Sequence, residues 1–149
     1  MIEDITSFNF NTTPRIIYGA DVAKDASPFS KLMGDRILLI TDKGLTNLGL
    51  YVDFLKDLEK NDATVTVFDE VEADPSLKTL QKAISFGEDI ACTGVVGFGG
   101  GSSMDVAKLT ALVLGSGEDL ESAWGVANAS GPRLPLCLKI GRASCRERV

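Results

Sequence analysis

Val95-Val96-Gly97-Phe98-Gly99-Gly100-Gly101-Ser102-Ser103-Met104-Asp105 joins an apolar strand signal, three adjacent glycines and a helix start. Glycine lacks a Cβ, so a ligand can come close to the backbone there. The first turn of the following helix presents unpaired N–H groups and the positive end of its dipole to an anion. A phosphate-bearing ligand, hence a nucleotide, is the first expectation. The spacing is not the common dinucleotide fingerprint G-x-G-x-x-G, because counting from Gly97 or Gly99 puts Ser102 or Met104 where the last glycine belongs. A competing reading needs no ligand: a tight strand-to-helix turn in which Ser102 and Asp105 form an S-x-x-D variant of the capping box. The two are compatible, since different N–H groups can serve each. Three successive glycines nevertheless exceed what a cap requires and carry an entropic cost, which favours a closely approaching ligand.

Outward from this run, the chain alternates strand and helix signals. Arg15–Tyr18 reads as a short strand ended by Gly19, and Asp21–Met33 as a helix broken at Pro28. Arg36–Thr41 is an almost continuous apolar run, the pattern of a parallel strand covered on both faces. Tyr51, Phe54, Leu55 and Leu58 fall on one helical face and predict an amphipathic helix over Asn47–Lys60. Thr64–Phe68 is β-branched and predicts a strand. Asp74 is expected at an N-cap with Pro75 at the first helical position, and Leu77, Leu80 and Ile84 along one face. Gly94–Phe98 is a further strand, Ser102–Leu114 a helix apolar almost all round and so expected to be buried, and Leu134–Leu138 the start of another strand after the loop Gly125–Pro135. Alternation at this spacing implies right-handed crossovers and a parallel sheet, whose ligands gather beyond the carboxyl ends of the strands. Asp42, Asp74 and the glycines all follow strand ends, and one crevice is expected to hold them.

Bulk properties narrow the classes. The 149 residues, 44% hydrophobic, suffice for one core of ordinary domain size. A net charge of −6 argues against a nucleic-acid or anionic-membrane surface. Cys92, Cys137 and Cys145 show no metal-binding spacing and are odd in number, so reduced thiols in a cytoplasm are expected, with Cys92 as a buried small apolar residue. Met1–Asn11 lacks the basic-then-apolar pattern of a secretory signal, and no run approaches membrane-spanning length. Histidine is absent, which removes the commonest metal ligand and general base.

Phe98-Gly99-Gly100-Gly101-Ser102-Ser103-Met104-Asp105-Val106-Ala107-Lys108 resembles the glycine-rich cofactor motif of iron-containing (group III) alcohol dehydrogenases. Pro14–Gly19 is similar to that family's early strand, Thr41-Asp42-Lys43 to its second-strand end, Asp74-Pro75 to its Asn/Asp-Pro helix start, and Gly131–Leu138 to the approach to its next strand. The resemblance implies an α/β fold, a Rossmann-like parallel sheet with flanking helices, as in the N-terminal domain of the dehydroquinate synthase-like and iron-type alcohol dehydrogenase fold. By the same resemblance, the family's helical C-terminal domain is expected to be missing from these residues.

By that resemblance, the main-chain N–H groups around Gly100, Gly101 and Ser102 would hold the pyrophosphate of a nicotinamide dinucleotide. Asp105 would brace the turn or approach the nicotinamide end, and Asp42 would lie at the adenosine ribose. A carboxylate at Asp42 would repel a 2′-phosphate, so NAD is expected over NADP; a helix cap is the competing reading. Asp74 matches a cofactor contact, although an N-cap explains it as well. Phe98 and Trp124 read as core or lid packing rather than ring contacts, and Lys43 and Lys108 as solvated lysines beside the phosphates. The family's chemistry is hydride transfer between an alcohol or aldehyde and nicotinamide, with Fe2+ or another divalent metal polarising the oxygen. Its metal ligands are an aspartate and three histidines, so no catalytic or metal residue transfers to this chain. The implied partner is a small-molecule alcohol or aldehyde, with no nucleic acid and no membrane; a homodimer at full length is one option.

After Leu138 the family's Ile/Val-Pro-Thr-Thr gives way to Lys139-Ile140-Gly141-Arg142-Ala143-Ser144-Cys145-Arg146-Glu147-Arg148-Val149. From Ile140 this resembles a translated sequencing-library adapter. Residues 1–138 are therefore expected to be a truncated nucleotide-binding domain, 139–149 a non-native tail, and the chain inactive alone. The alternatives are a non-catalytic nucleotide-binding module, a glycerol dehydrogenase-like relative of the same superfamily and, less favoured, a flavodoxin-like electron carrier.

Overall fold

The computed structural model describes residues 12–19, 22–60, 62–123 and 128–140. Four strands form one sheet: β1 (Arg36–Ile40), β2 (Thr64–Phe68), β3 (Gly94–Gly99) and β4 (Leu136–Ile140), in the order β2-β1-β3-β4. Every neighbouring pair is parallel, with Ile37 opposite Val65 on one side and Gly94 on the other, and Gly97 opposite Leu138. Apart from the exposed Arg36 that opens β1, the central strands are apolar because helices cover both faces, as expected for a parallel sheet. Leu38 and Ile40 point into one core with Val95, which α4 (Leu77–Asp89) and α5 (Gly101–Ser116) close through Ala83, Ile84, Val106 and Ala111. Ile37 and Leu39 point the other way with Val96 and Phe98, under Leu45 of α2 (Lys43–Asn47), Phe54 and Leu58 of α3 (Val52–Glu59) and Met33 of α1 (Ser30–Met33). One further turn of helix, α6, spans Leu120–Ala123.

The helix after β1 lies on one face and the helix after β3 on the other. The crossovers therefore diverge between these two neighbours, and ligands of such sheets bind beyond the carboxyl ends at that point.

Four local expectations are corrected. Arg15–Tyr18 is not a strand: it pairs with nothing among the described residues, and Ile16 and Tyr18 are 74% and 97% exposed. The helix expected over Asn47–Lys60 is α3 and begins only at Val52, because Asn47 ends the short helix α2 that Asp42 caps and Gly49, at φ +64, separates the two. The N-cap of α4 is Ser76, not Asp74; Asp74 sits in the left-handed region at φ +53, leaving Pro75 outside the helix. The capping box is absent: Gly100 is the N-cap of α5 with no side-chain cap, and Asp105 turns to Lys108 at 2.9 Å. The apolar α5 is buried along one face only, through Ser103, Val106, Ala107, Thr110 and Ala111. The strand expected from Leu134–Leu138 is β4, which includes Lys139 and Ile140; residues 141–149, most of the expected tail, lie outside the described residues.

The start of α4 is held by Glu72. Its carboxylate accepts the Ser76 N–H at 3.0 Å and the Thr79 hydroxyl at 2.6 Å, while Ser76 Oγ accepts the Thr79 N–H at 3.2 Å. The Thr79 hydroxyl, then the Ser76 amide, pull the Glu72 carboxyl down from 4.5 to about 2. A depressed acid stabilises the fold above its unfolded value and loses that contribution as pH falls through the folded one. Melting temperature is therefore expected to fall between pH 4.5 and 2, more steeply in the unaltered chain than in Glu72→Gln. Circular dichroism melts of the two chains check this, and parallel curves would refute it.

Candidate functional site at the carboxyl ends of β1 and β3

Asp42 follows β1, and Gly99-Gly100-Gly101 joins β3 to α5. Because β1 and β3 are neighbours, the two segments meet. Gly99 has φ +138, a conformation that only glycine adopts without strain. A Cβ there would meet Leu45 Cδ1 at 2.8 Å, Ser103 Oγ at 3.3 Å and Asp42 Oδ2 at 3.4 Å. Asp42 divides its oxygens: Oδ1 accepts the Leu45 N–H at 3.0 Å and caps α2, while Oδ2 lies beside Gly99. The cap reading and the ribose reading thus use different atoms.

The N-terminus of α5 is open. Its first intrahelical bond runs from Met104 N–H to the Gly100 carbonyl at 3.1 Å, so the N–H groups of Gly101, Ser102 and Ser103 have no partner within the helix. No acidic residue lies in this first turn, and nothing stands within 4 Å of a Cβ built on Gly101. The donors, the positive dipole end and the open space coincide, which suits a diphosphate. Asp42, Gly100, Gly101 and Ser102 are brought together here. Asp105 is exposed one turn along α5 in its pair with Lys108, and Asp74 is exposed in the loop before α4.

Residues 13–138 match the family described as iron-containing alcohol dehydrogenase. The chain belongs to that family. Alcohol dehydrogenase 4 of Schizosaccharomyces pombe is 31% identical over 133 residues, 89% of this chain and 30% of that protein. The NAD-dependent methanol dehydrogenase of Bacillus methanolicus is 27% identical over 86% of this chain and 34% of its own length. In three dimensions the chain resembles a 1,3-propanediol oxidoreductase, with TM-score 0.76 and 26% identity over 82% of this chain and 32% of that one. It also resembles an iron-containing alcohol dehydrogenase from Thermotoga maritima, with TM-score 0.69 and 31% identity over 80% and 33%. The chain spans about a third of the length of these relatives.

The family's metal does not fit these residues. The sequence has no histidine, and the described residues contain no group of three or more metal-ligating side chains. Among the aromatics, Phe98 is core, 2% exposed and packed near Tyr51 and Phe54 at ring distances of 6.4 and 6.3 Å; Trp124 lies outside the described residues. Cys92 and Cys137 are free thiols, both pushed up by burial, and Cys145 lies outside the described residues.

Two features escaped the sequence reading. Lys139 Nζ lies over the rings of Phe54 and Phe98, 4.2 and 4.5 Å from their centroids, and burial pushes it down to about 8. A shallow depression of about 400 Å³ opens beside Asp42, lined by Lys43, Asp69, Glu70, Val71 and Glu72. No local pattern signals either, because each joins segments distant in sequence.

Proposed function

We propose that this chain is the dinucleotide-binding part of a metal-dependent alcohol dehydrogenase or aldehyde reductase and takes NAD in preference to NADP. The observation that carries this reading is the uncapped N-terminus of α5 beside Asp42 Oδ2. The N–H groups of Gly101, Ser102 and Ser103 would receive the pyrophosphate. Asp42 Oδ2, left over from capping, would accept a ribose hydroxyl and repel a 2′-phosphate. The NAD-dependence named for the Bacillus methanolicus relative supports the choice of cofactor. Bound NAD supplies the hydride acceptor for alcohol oxidation, or in reduced form the donor for aldehyde reduction. The metal that polarises the substrate oxygen would need histidine ligands, and the sequence has no histidine, so the 149 residues alone are expected to bind the cofactor without turning over an alcohol. Among the described residues no helix is long and apolar enough to cross a membrane.

Isothermal titration of the folded chain tests the reading. NAD is expected to bind and NADP to bind more weakly, with no NADH formed on adding ethanol and a divalent metal. A folded chain that takes up neither dinucleotide would overturn it.

A further inference from the structure

The glycine bend lies over β3, Asp42 over β1, and β2 is the next strand outward. With strands about 4.8 Å apart, a dinucleotide whose pyrophosphate sits on α5 reaches the end of β2 within about 10 Å. Asp69-Glu70-Val71-Glu72 follow that end, and a backbone bridge between Asp42 and Glu70 holds the two strand ends side by side. Two of the three acids there are already engaged. Glu70 is paired with Lys82 at 2.7 Å, and Glu72 holds the start of α4. Asp69 is different: its Oδ2 accepts the hydroxyl of Thr46 at 3.1 Å, and no ion pair holds it among the described residues. Thr46 belongs to α2, the helix that Asp42 caps, so this contact anchors the Asp69 carboxylate beside the same short helix. Lys43 lines the depression too, but one cation against Asp42 and Asp69 leaves this end of the crevice negative.

We propose that Asp69 is a second specificity-determining residue, which with Asp42 excludes a 2′-phosphorylated dinucleotide from the depression between the ends of β1 and β2. The inference rests on the dinucleotide reading of the crevice. It predicts that neutralising Asp42 alone does not complete a switch to NADP, because a carboxylate one strand further out still faces the extra phosphate.

The test is titration of the unaltered chain, Asp69→Asn, Asp69→Ala and the double variant Asp42→Asn/Asp69→Asn with NAD and NADP, at low and high salt. Asparagine keeps an oxygen for Thr46, and circular dichroism confirms that each variant is folded. The ratio of the NADP to the NAD dissociation constant is expected to fall about fivefold in each single variant at low salt and further in the double variant. High salt should shrink the change, since screening acts on a charge and not on a packing defect. NAD uptake with a ratio unchanged in both Asp69 variants, or a change that salt does not alter, overturns the inference alone. No uptake of NAD by the unaltered chain overturns it together with the reading of the crevice.

Discussion

Gly94→Ala is expected to destabilise the chain by about 3 kcal/mol or more, at the upper end of what overpacking costs. Gly94 opens β3 opposite Ile37, and a methyl group there would land on the carbonyl oxygen of Met33, with the Met33 carbonyl carbon and Cα both at 3.1 Å. Those atoms cannot swing aside as a side chain would. The Met33 carbonyl accepts the Thr93 hydroxyl at 3.2 Å, and its side chain, 2% exposed, is part of the core with Ile37 and Val96. Relief requires moving α1 off the sheet. Domains of this kind are stable by about 5–15 kcal/mol, so the loss should lower the urea midpoint substantially. A midpoint matching that of the unaltered chain would mean that α1 does not sit against β3 in solution.

Gly101→Val should do the opposite, leaving the fold intact and damaging the site. Nothing lies within 4 Å of the position a Cβ would take, and Gly101 is the first residue of α5, where a side chain is tolerated. The melting temperature is expected to stay within about 2 °C, because the valine meets open space and its helix preference differs from that of glycine by only tenths of a kcal/mol, in valine's favour. The open space is what a pyrophosphate needs to reach the N–H groups of the first turn. NAD affinity should therefore fall at least about tenfold, roughly 1.4 kcal/mol, by titration calorimetry. Unchanged affinity in the folded variant would place the phosphates elsewhere.

The strands were largely legible because their signals are local. Arg36–Ile40, Thr64–Phe68 and Gly94–Gly99 are short apolar or β-branched runs bounded by polar or glycine residues, and each is a strand within one residue of its expected limits. The misreadings occurred where two local choices competed. Asp74-Pro75 and Ser76 both offer a helix start. Ser76 prevails because Glu72 reaches its amide and Thr79 completes the clasp, which the Asp-Pro pair alone does not reveal. Arg15–Tyr18 is apolar enough for a strand yet is not one, since a strand needs a partner as well as a pattern. Ser102 and Asp105 have capping-box spacing, but Asp105 pairs with Lys108 and Ser102 lies inside the helix.

At the candidate site, the glycine bend and Asp42 at the end of β1 were each visible as local signals, whereas the depression beside Asp69 was not. The sequence by itself determined the alternation of strand and helix, the apolar central strands and the glycine bend before α5, because these depend on residues a few positions apart. Only the tertiary structure decided that β1 lies beside β3, that Asp42 Oδ2 stands next to Gly99 and that Asp69, after β2, accepts the hydroxyl of Thr46 in the helix that Asp42 caps. Strand order depends on which face each crossover takes, and that is set by packing among distant segments rather than by periodicity along any one of them.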